Sequence, residues 1–372
     1  MTSRADERRA LSSAASVPHD AEFTPNPDRA IWIDGKFTEA LLVRLRPQIL
    51  ELTSSSREPI TVFINSSGGA PEVAEEILKL LRPSQDGATA LKIITVAATK
   101  AESMGANFLS SGDFAIASPG CTLLYHGGRW PLSELVNAGA AGRLYAHSLP
   151  VFNEKNAAVL MQNSVRRFLF IVRAFRPRFA EHPARADDPT ITDVEILERI
   201  LHAKLSPAGQ AVLERALRLW HRQNVLFVRF QKKLRRGRSV TKEQLRKLML
   251  YSAFECECEP AAWDAGLPRI CDEFYFLSTY FDLGSLREYV AGRREPQTAA
   301  TDAEADYLLP FQMFLLALCR ALQEGENCIT PLDALYLGLV DTVETAKESG
   351  PRSGEREPRR DGSGARAGGI LS

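Results

Sequence analysis

Two apolar runs constrain this chain more than anything else in it: Ile60 to Ile64 and Ile93 to Val96 each end in small residues that lead into a helical pattern. The β-branched content of both runs favours strands. The first leads through Asn65-Ser66-Ser67-Gly68-Gly69 to Pro71, after which Val73, Ile77 and Leu80 share one face of a helix. The second leads through the small residues Ala97 to Ala101 to a helix-compatible run, Met104 to Ser110, which Gly112 stops. Strands alternating with helices define an α/β fold.

Chemistry-bearing residues sit at both turns. Ser103 falls at the N-terminus of the second helix, where unpaired backbone N–H groups and the positive end of the helix dipole favour an oxyanion. A serine in that place ordinarily serves as an N-cap. The paired glycines of the other turn can take positive φ and aim N–H groups at a ligand, so Gly69 supplies one oxyanion donor and Met104 the other. A later apolar run ends in His126, a candidate base for a Ser103 nucleophile.

The segments INSSGG (64–69), AESMGANFLSSG (101–112) and LLYHGG (123–128), in that order and spacing, resemble the caseinolytic protease proteolytic subunit family, ClpP, within the crotonase-like superfold. Arg29 to Phe37 (RAIWIDGKF) followed by the amphipathic Glu39 to Leu52 looks like the family's first strand and helix, and Ile329 to Val343 like its closing segment. The likeness covers residues 29–133 and, more loosely, 324–345. It implies repeated ββα units carrying a large helical insertion in the handle region. The corresponding division is a flexible arm over 1–28, a ClpP-like core over 29–134, the expanded handle over 135–322, a return to the core over 323–346 and a disordered tail over 347–372.

The same resemblance implies a serine-type endopeptidase with Ser103 as nucleophile, His126 as base, and the N–H groups of Gly69 and Met104 as oxyanion hole. It implies polypeptide substrates, a homo-oligomeric ring and an AAA+ unfoldase supplied separately, since this chain has no Walker A motif. No cofactor and no metal are implied. Three departures stand out: Ser67 replaces the family's proline, Gly127-Gly128 replaces Gln-Pro, and Glu326 stands where the triad aspartate belongs. A glutamate can hold an imidazole as an aspartate does. A second alignment, over Ser239 to Asp272, nominates Glu255 instead. Two rival classes share the scaffold: a ClpP-like structural or regulatory subunit without catalysis, and an acyl-CoA enzyme, which has no need of the Ser103/His126 pair.

The remaining sequence bounds the setting. A formal net charge of zero gives no global steering toward nucleic acid or anionic membrane, and no run of about 18 apolar residues exists to span a bilayer. The N-terminus lacks an apolar signal core and the six cysteines are sparse, so the chain reads as cytoplasmic with reduced thiols. Cys256-Glu257-Cys258 lacks the further ligands that a zinc site needs. Within 135–322, helical periodicity is expected over Ser164 to Phe175, Thr192 to Leu205, Pro207 to Lys233, Thr241 to Phe254 and Tyr307 to Gln323. Loops are expected at Arg176 to Thr190 and Ala291 to Ala303. The basic stretch Lys232 to Lys247 reads as a solvated face, and the aromatic cluster Phe274 to Phe281 as core.

Overall fold

The computed structural model describes residues 24–82, 91–129, 140–235 and 299–344. The chain opens with β1 (Ala30–Asp34), α1 (Glu39–Ser55), β2 (Ile60–Ser66), α2 (Pro71–Leu81), β3 (Ile93–Glu102), α3 (Met104–Ser110), β4 (Phe114–Ala117) and β5 (Thr122–Tyr125). A helical segment follows: α4 (Ala140–Phe175), α5 (Ala184–Asp187), α6 (Asp193–His202), α7 (Pro207–Arg235) and α8 (Ala299–Gln323). The chain then returns to the sheet through β6 (Asn327–Ile329), α9 (Pro331–Tyr336) and β7 (Thr342–Val343). Thr241 to Phe254, Phe274 to Phe281, Glu255, the Cys256/Cys258 pair and most of the basic stretch lie outside the described residues.

The architecture is α/β with a mostly parallel sheet. Strands run in the order β1-β2-β3-β4-β7, each pair parallel, while β5 pairs with β3 in parallel and β6 pairs with β5 antiparallel. The central strands are apolar on both faces, as a covered parallel sheet requires. One face places Ile31, Ile33, Ile60, Val62 and Ile64 in a continuous core that also takes in Ile49 of α1, Ile77 of α2, Phe168 of α4 and Phe314 of α8. The helical segment therefore shares its core with the sheet. The other face gathers Ala30, Phe63, Ile94, Val96, Phe114 and Ile116, with the half-exposed Trp32 stacked on Phe63 at 4.2 Å between ring centroids.

Helix boundaries follow local chemistry. Thr38 caps α1 by accepting from the Leu41 N–H, and Leu41, Leu42, Leu45 and Ile49 form its buried stripe. In α2 the buried set is Val73, Ala74, Ile77 and Leu81, so the stripe ends one residue beyond the expected Leu80. Thr192 with Glu195, and Thr330 with Asp333, form capping boxes on α6 and α9. Two expectations about the helical segment change. Helix α4 begins at Ala140, well before Ser164, and α8 begins at Ala299, inside the expected loop. Within Arg176 to Thr190 the structure has a 3-10 turn (Arg176–Arg178) and the short α5.

Strand β3 serves two neighbours in succession, and this bend creates the site. Its first half, Ile94 to Ala97, pairs with β4, whereas Lys100 to Glu102 pairs with β5. Between these halves β2 advances from Ile64 to Ser66 while β3 advances from Ala97 to Ala101, a bulge that redirects the end of β3.

A buried ion pair closes the layers. Arg167 of α4 donates from Nε to Asp341 Oδ2 at 2.6 Å, and the two side chains are only 4% and 5% exposed. Its other nitrogens donate to the carbonyls of Ser110 (2.9 Å), Gly112 (2.6 Å) and Asn163 (2.8 Å). Asp341 in turn accepts from the Ala115 N–H at 2.8 Å and from Arg166 at 3.0 Å. Asp341→Asn leaves the buried Arg167 guanidinium without a counter-charge and is expected to cost about 3–5 kcal/mol of unfolding free energy, whereas Arg167→Met leaves Asp341 paired with Arg166 and should cost less. Urea denaturation of the full chain measures this; a loss under about 1 kcal/mol, the scale of an exposed pair, would remove the pair's structural role.

Candidate functional site

The site lies where β2, β3 and β5 end. Ser103 follows β3 directly and heads α3 with φ 55° and ψ −120°, and it is the non-glycine residue with positive φ among those described. A non-glycine residue in that region stores strain of roughly 1–3 kcal/mol, and such strain concentrates at functional turns. A strained strand-to-helix turn presents the nucleophile in α/β-hydrolases. Its position is that of an N-cap, yet the side chain makes no cap hydrogen bond and has no other hydrogen-bond partner among the described residues. The hydroxyl is left free by a turn that ordinarily consumes it. The backbone holds the turn instead: Ser103 N–H donates to the Leu124 carbonyl at 2.6 Å, and its own carbonyl accepts from Ala106 and Asn107.

The glycine turn stands against this serine. Gly68 has φ +92°, and a methyl on it would lie 2.6 Å from Ser103 Cβ and 3.0 Å from Oγ. Gly68 therefore packs directly on Ser103. Its N–H is taken by Ser66 Oγ at 3.1 Å, and its carbonyl accepts from the Phe37 N–H at 2.8 Å. Gly69 is pinned on the other side by the Phe37 backbone, 2.5 Å from where its Cβ would stand. Among the described residues neither the Gly69 N–H nor the Met104 N–H has a hydrogen-bond partner.

His126 comes in on β5. Glu102 is registered with Leu124, so Ser103 and His126 follow one and two residues beyond a paired position on adjacent parallel strands. Tyr125 anchors the strand end beneath: it is fully buried, with its hydroxyl 3.4 Å from Ser110 Oγ and 3.5 Å from the Ala106 carbonyl of α3. Burial pushes the Tyr125 phenol up from its ordinary pKa. The half-buried imidazole places Nδ1 2.5 Å from the Gly127 carbonyl. Ser103 Oγ and the imidazole are not hydrogen-bonded to one another. Catalytic pairs are commonly loose before substrate arrives.

Glu326 makes no hydrogen bond or ion pair with the imidazole. Its carboxylate pairs with Arg129 at 2.6 Å on the surface, the two side chains being 65% and 52% exposed. Sequence reasoning did not single out Asn153 of α4, whose Oδ1 accepts the Gly128 N–H at 2.6 Å. Nor did it single out Gln323, whose carbonyl lies 2.6 Å from where a Gly127 Cβ would stand. Asn327 fixes that end of α8 by donating to the carbonyls of Leu322 (2.9 Å) and Glu324 (3.0 Å). The visible signal was Gly127-Gly128 itself, a departure whose reason is the close approach of α4 and α8.

Among the described residues no cluster of histidine, cysteine or acidic side chains could hold a metal ion, and no helix is long and apolar enough to cross a membrane. Cys121 is buried, which pushes its thiol up to about 11, away from the reactive thiolate range. No protein-family model matches this chain, and no curated protein matches it either.

A methyl group at residue 68 meets both a positive φ and the Ser103 side chain. Gly68→Ala is therefore expected to cost at least about 1–2 kcal/mol and to displace Ser103. Thermal unfolding and a crystal structure of the variant check this; an unchanged melting temperature with Ser103 undisturbed contradicts the contact.

Proposed function

We propose that this chain is a serine-type endopeptidase of the ClpP-like kind. The observation that carries the reading is Ser103: a non-glycine residue held at positive φ at a strand-to-helix turn, its hydroxyl unused by the helix cap, with Gly68 packed against it. The β3–β5 register supports His126 as its partner, since that ladder brings both residues to neighbouring strand ends.

In this reading Ser103 Oγ attacks the peptide carbonyl carbon while His126 Nε2 takes the hydroxyl proton. The Gly69 and Met104 N–H groups receive the oxyanion, a contribution of about 3 kcal/mol per donor in comparable hydrolases. The imidazolium then returns its proton to the leaving amine, and water repeats the sequence on the acyl-enzyme. Polypeptides are the substrates, and a ring homo-oligomer fed by an AAA+ unfoldase is the expected setting. Sedimentation of the full chain at micromolar concentration should show a ring-sized oligomer, and a monomer throughout argues against a chambered protease.

A second reading, a ClpP-like structural or regulatory subunit without catalysis, draws support from the engagement of Glu326 with Arg129. A fluorophosphonate probe separates the two. The folded wild-type chain should be labelled at Ser103, Ser103→Ala should not be labelled, and His126→Ala should label at least about a hundredfold more slowly. Absence of wild-type labelling would favour the scaffold subunit.

A further inference from the structure

We infer that the base of this site is oriented by the main chain: the Gly127 carbonyl holds the His126 imidazole, and Asn153 of α4 is the positioning residue that holds that carbonyl. The inference rests on the reading of His126 as base, and it puts the work of a triad carboxylate on one peptide group.

A carbonyl oxygen only accepts hydrogen bonds, so the 2.5 Å approach of His126 Nδ1 to the Gly127 carbonyl requires the proton on Nδ1. The neutral ring then carries its lone pair on Nε2, as a nitrogen must if it is to take a proton from a serine. The Gly127 carbonyl and the Gly128 N–H belong to one planar trans peptide group. Asn153 Oδ1 accepts from that N–H at 2.6 Å, so a single chain of hydrogen bonds runs from Asn153 through the peptide to the imidazole. Hydrogen bonding at one end of a peptide group polarises it and strengthens its carbonyl as an acceptor.

Packing fixes the same group. A methyl on Gly127 would lie 2.6 Å from Asn153 Nδ2 and 2.6 Å from the Gln323 carbonyl, so only glycine lets the two helices approach this closely. No carboxylate among the described residues bonds to the ring, and Glu326 is engaged with Arg129. An amide relay sets the tautomer but brings no negative charge to the imidazolium.

The test is ¹⁵N NMR of histidine-labelled full chain at pH 8, with His126 assigned by comparison with His126→Gln, alongside the rate of fluorophosphonate labelling at Ser103. The wild type should show His126 protonated on Nδ1. Asn153→Ala should shift the ring toward the Nε2–H form and slow labelling by at least about tenfold, since a wrong tautomer disables a base of this kind. Asn153→Asp keeps the acceptor and should restore both the tautomer and the labelling rate to within about threefold of wild type, whereas Asn153→Leu, which keeps about the side-chain bulk without the acceptor, should behave like Asn153→Ala, a split that a packing role for Asn153 does not explain.

A wild-type ring protonated on Nε2 overturns the inference, and that measurement decides the matter even where a variant does not fold. Retention of the Nδ1–H form in folded Asn153→Ala overturns the role of Asn153, and its loss in Glu326→Gln returns the role to a carboxylate. An Nδ1–H wild-type ring with Ser103 unlabelled supports the relay while overturning the hydrolase reading.

Discussion

The Arg167–Asp341 pair is the contact on which the rest of the molecule depends. It is buried, and its hydrogen bonds reach four separate pieces of chain: α4, the end of α3, the start of β4 and the approach to β7. Two of its acceptors, the Ser110 and Gly112 carbonyls, lie at the end of α3, where a cation also meets the negative end of the helix dipole. An ion pair among apolar side chains gains little over a packed apolar contact, but it is far more particular about geometry. It fixes one docking of the helical segment on the sheet. The Glu154–Arg320 pair, two bonds of 2.8 Å between α4 and α8, does the same within the helical layer.

From that docking follows the geometry around Ser103. The bulge in β3 turns the strand end toward β5, the ladder to β5 brings His126 alongside, and the Phe37 backbone presses the glycine turn against the serine. The strain at Ser103 is sustained by bonds on both sides of it, from the Leu124 carbonyl before the turn and into α3 after it. Helix α4 then seats the loop after His126 through Asn153. The core strands present Ser103, and the helical segment seats the loop that holds His126.

Much of this was legible in the chain. The strand-to-helix turns at Asn65–Gly69 and at Ser103, the first helix from Glu39 and the return of the C-terminal residues to the sheet all carry local signals: β-branched runs, paired glycines and helical spacing. The strain at Ser103 was not legible, because the expected N-cap and the observed free hydroxyl share one sequence. The placement of Glu326 was hidden for a different reason. Alignment placed it at the position of a family acid, but its partner is set by which loop end carries Arg129, and nothing local reports that. Asn153 was invisible altogether, since a side-chain bond to a main-chain N–H twenty-five residues away leaves no periodic mark. The early start of α4 was masked by Pro150 within its span, a residue that usually ends a helix.

The seat beneath His126 also has an order in time. The ribosome delivers Ser103 and His126 first, Asn153 somewhat later, and Gln323, the second wall around Gly127, only at the end of the helical segment. A nascent chain thus carries Ser103 and His126 without both walls around Gly127 until α8 has been made. Closure of this seat waits on the last turn of α8.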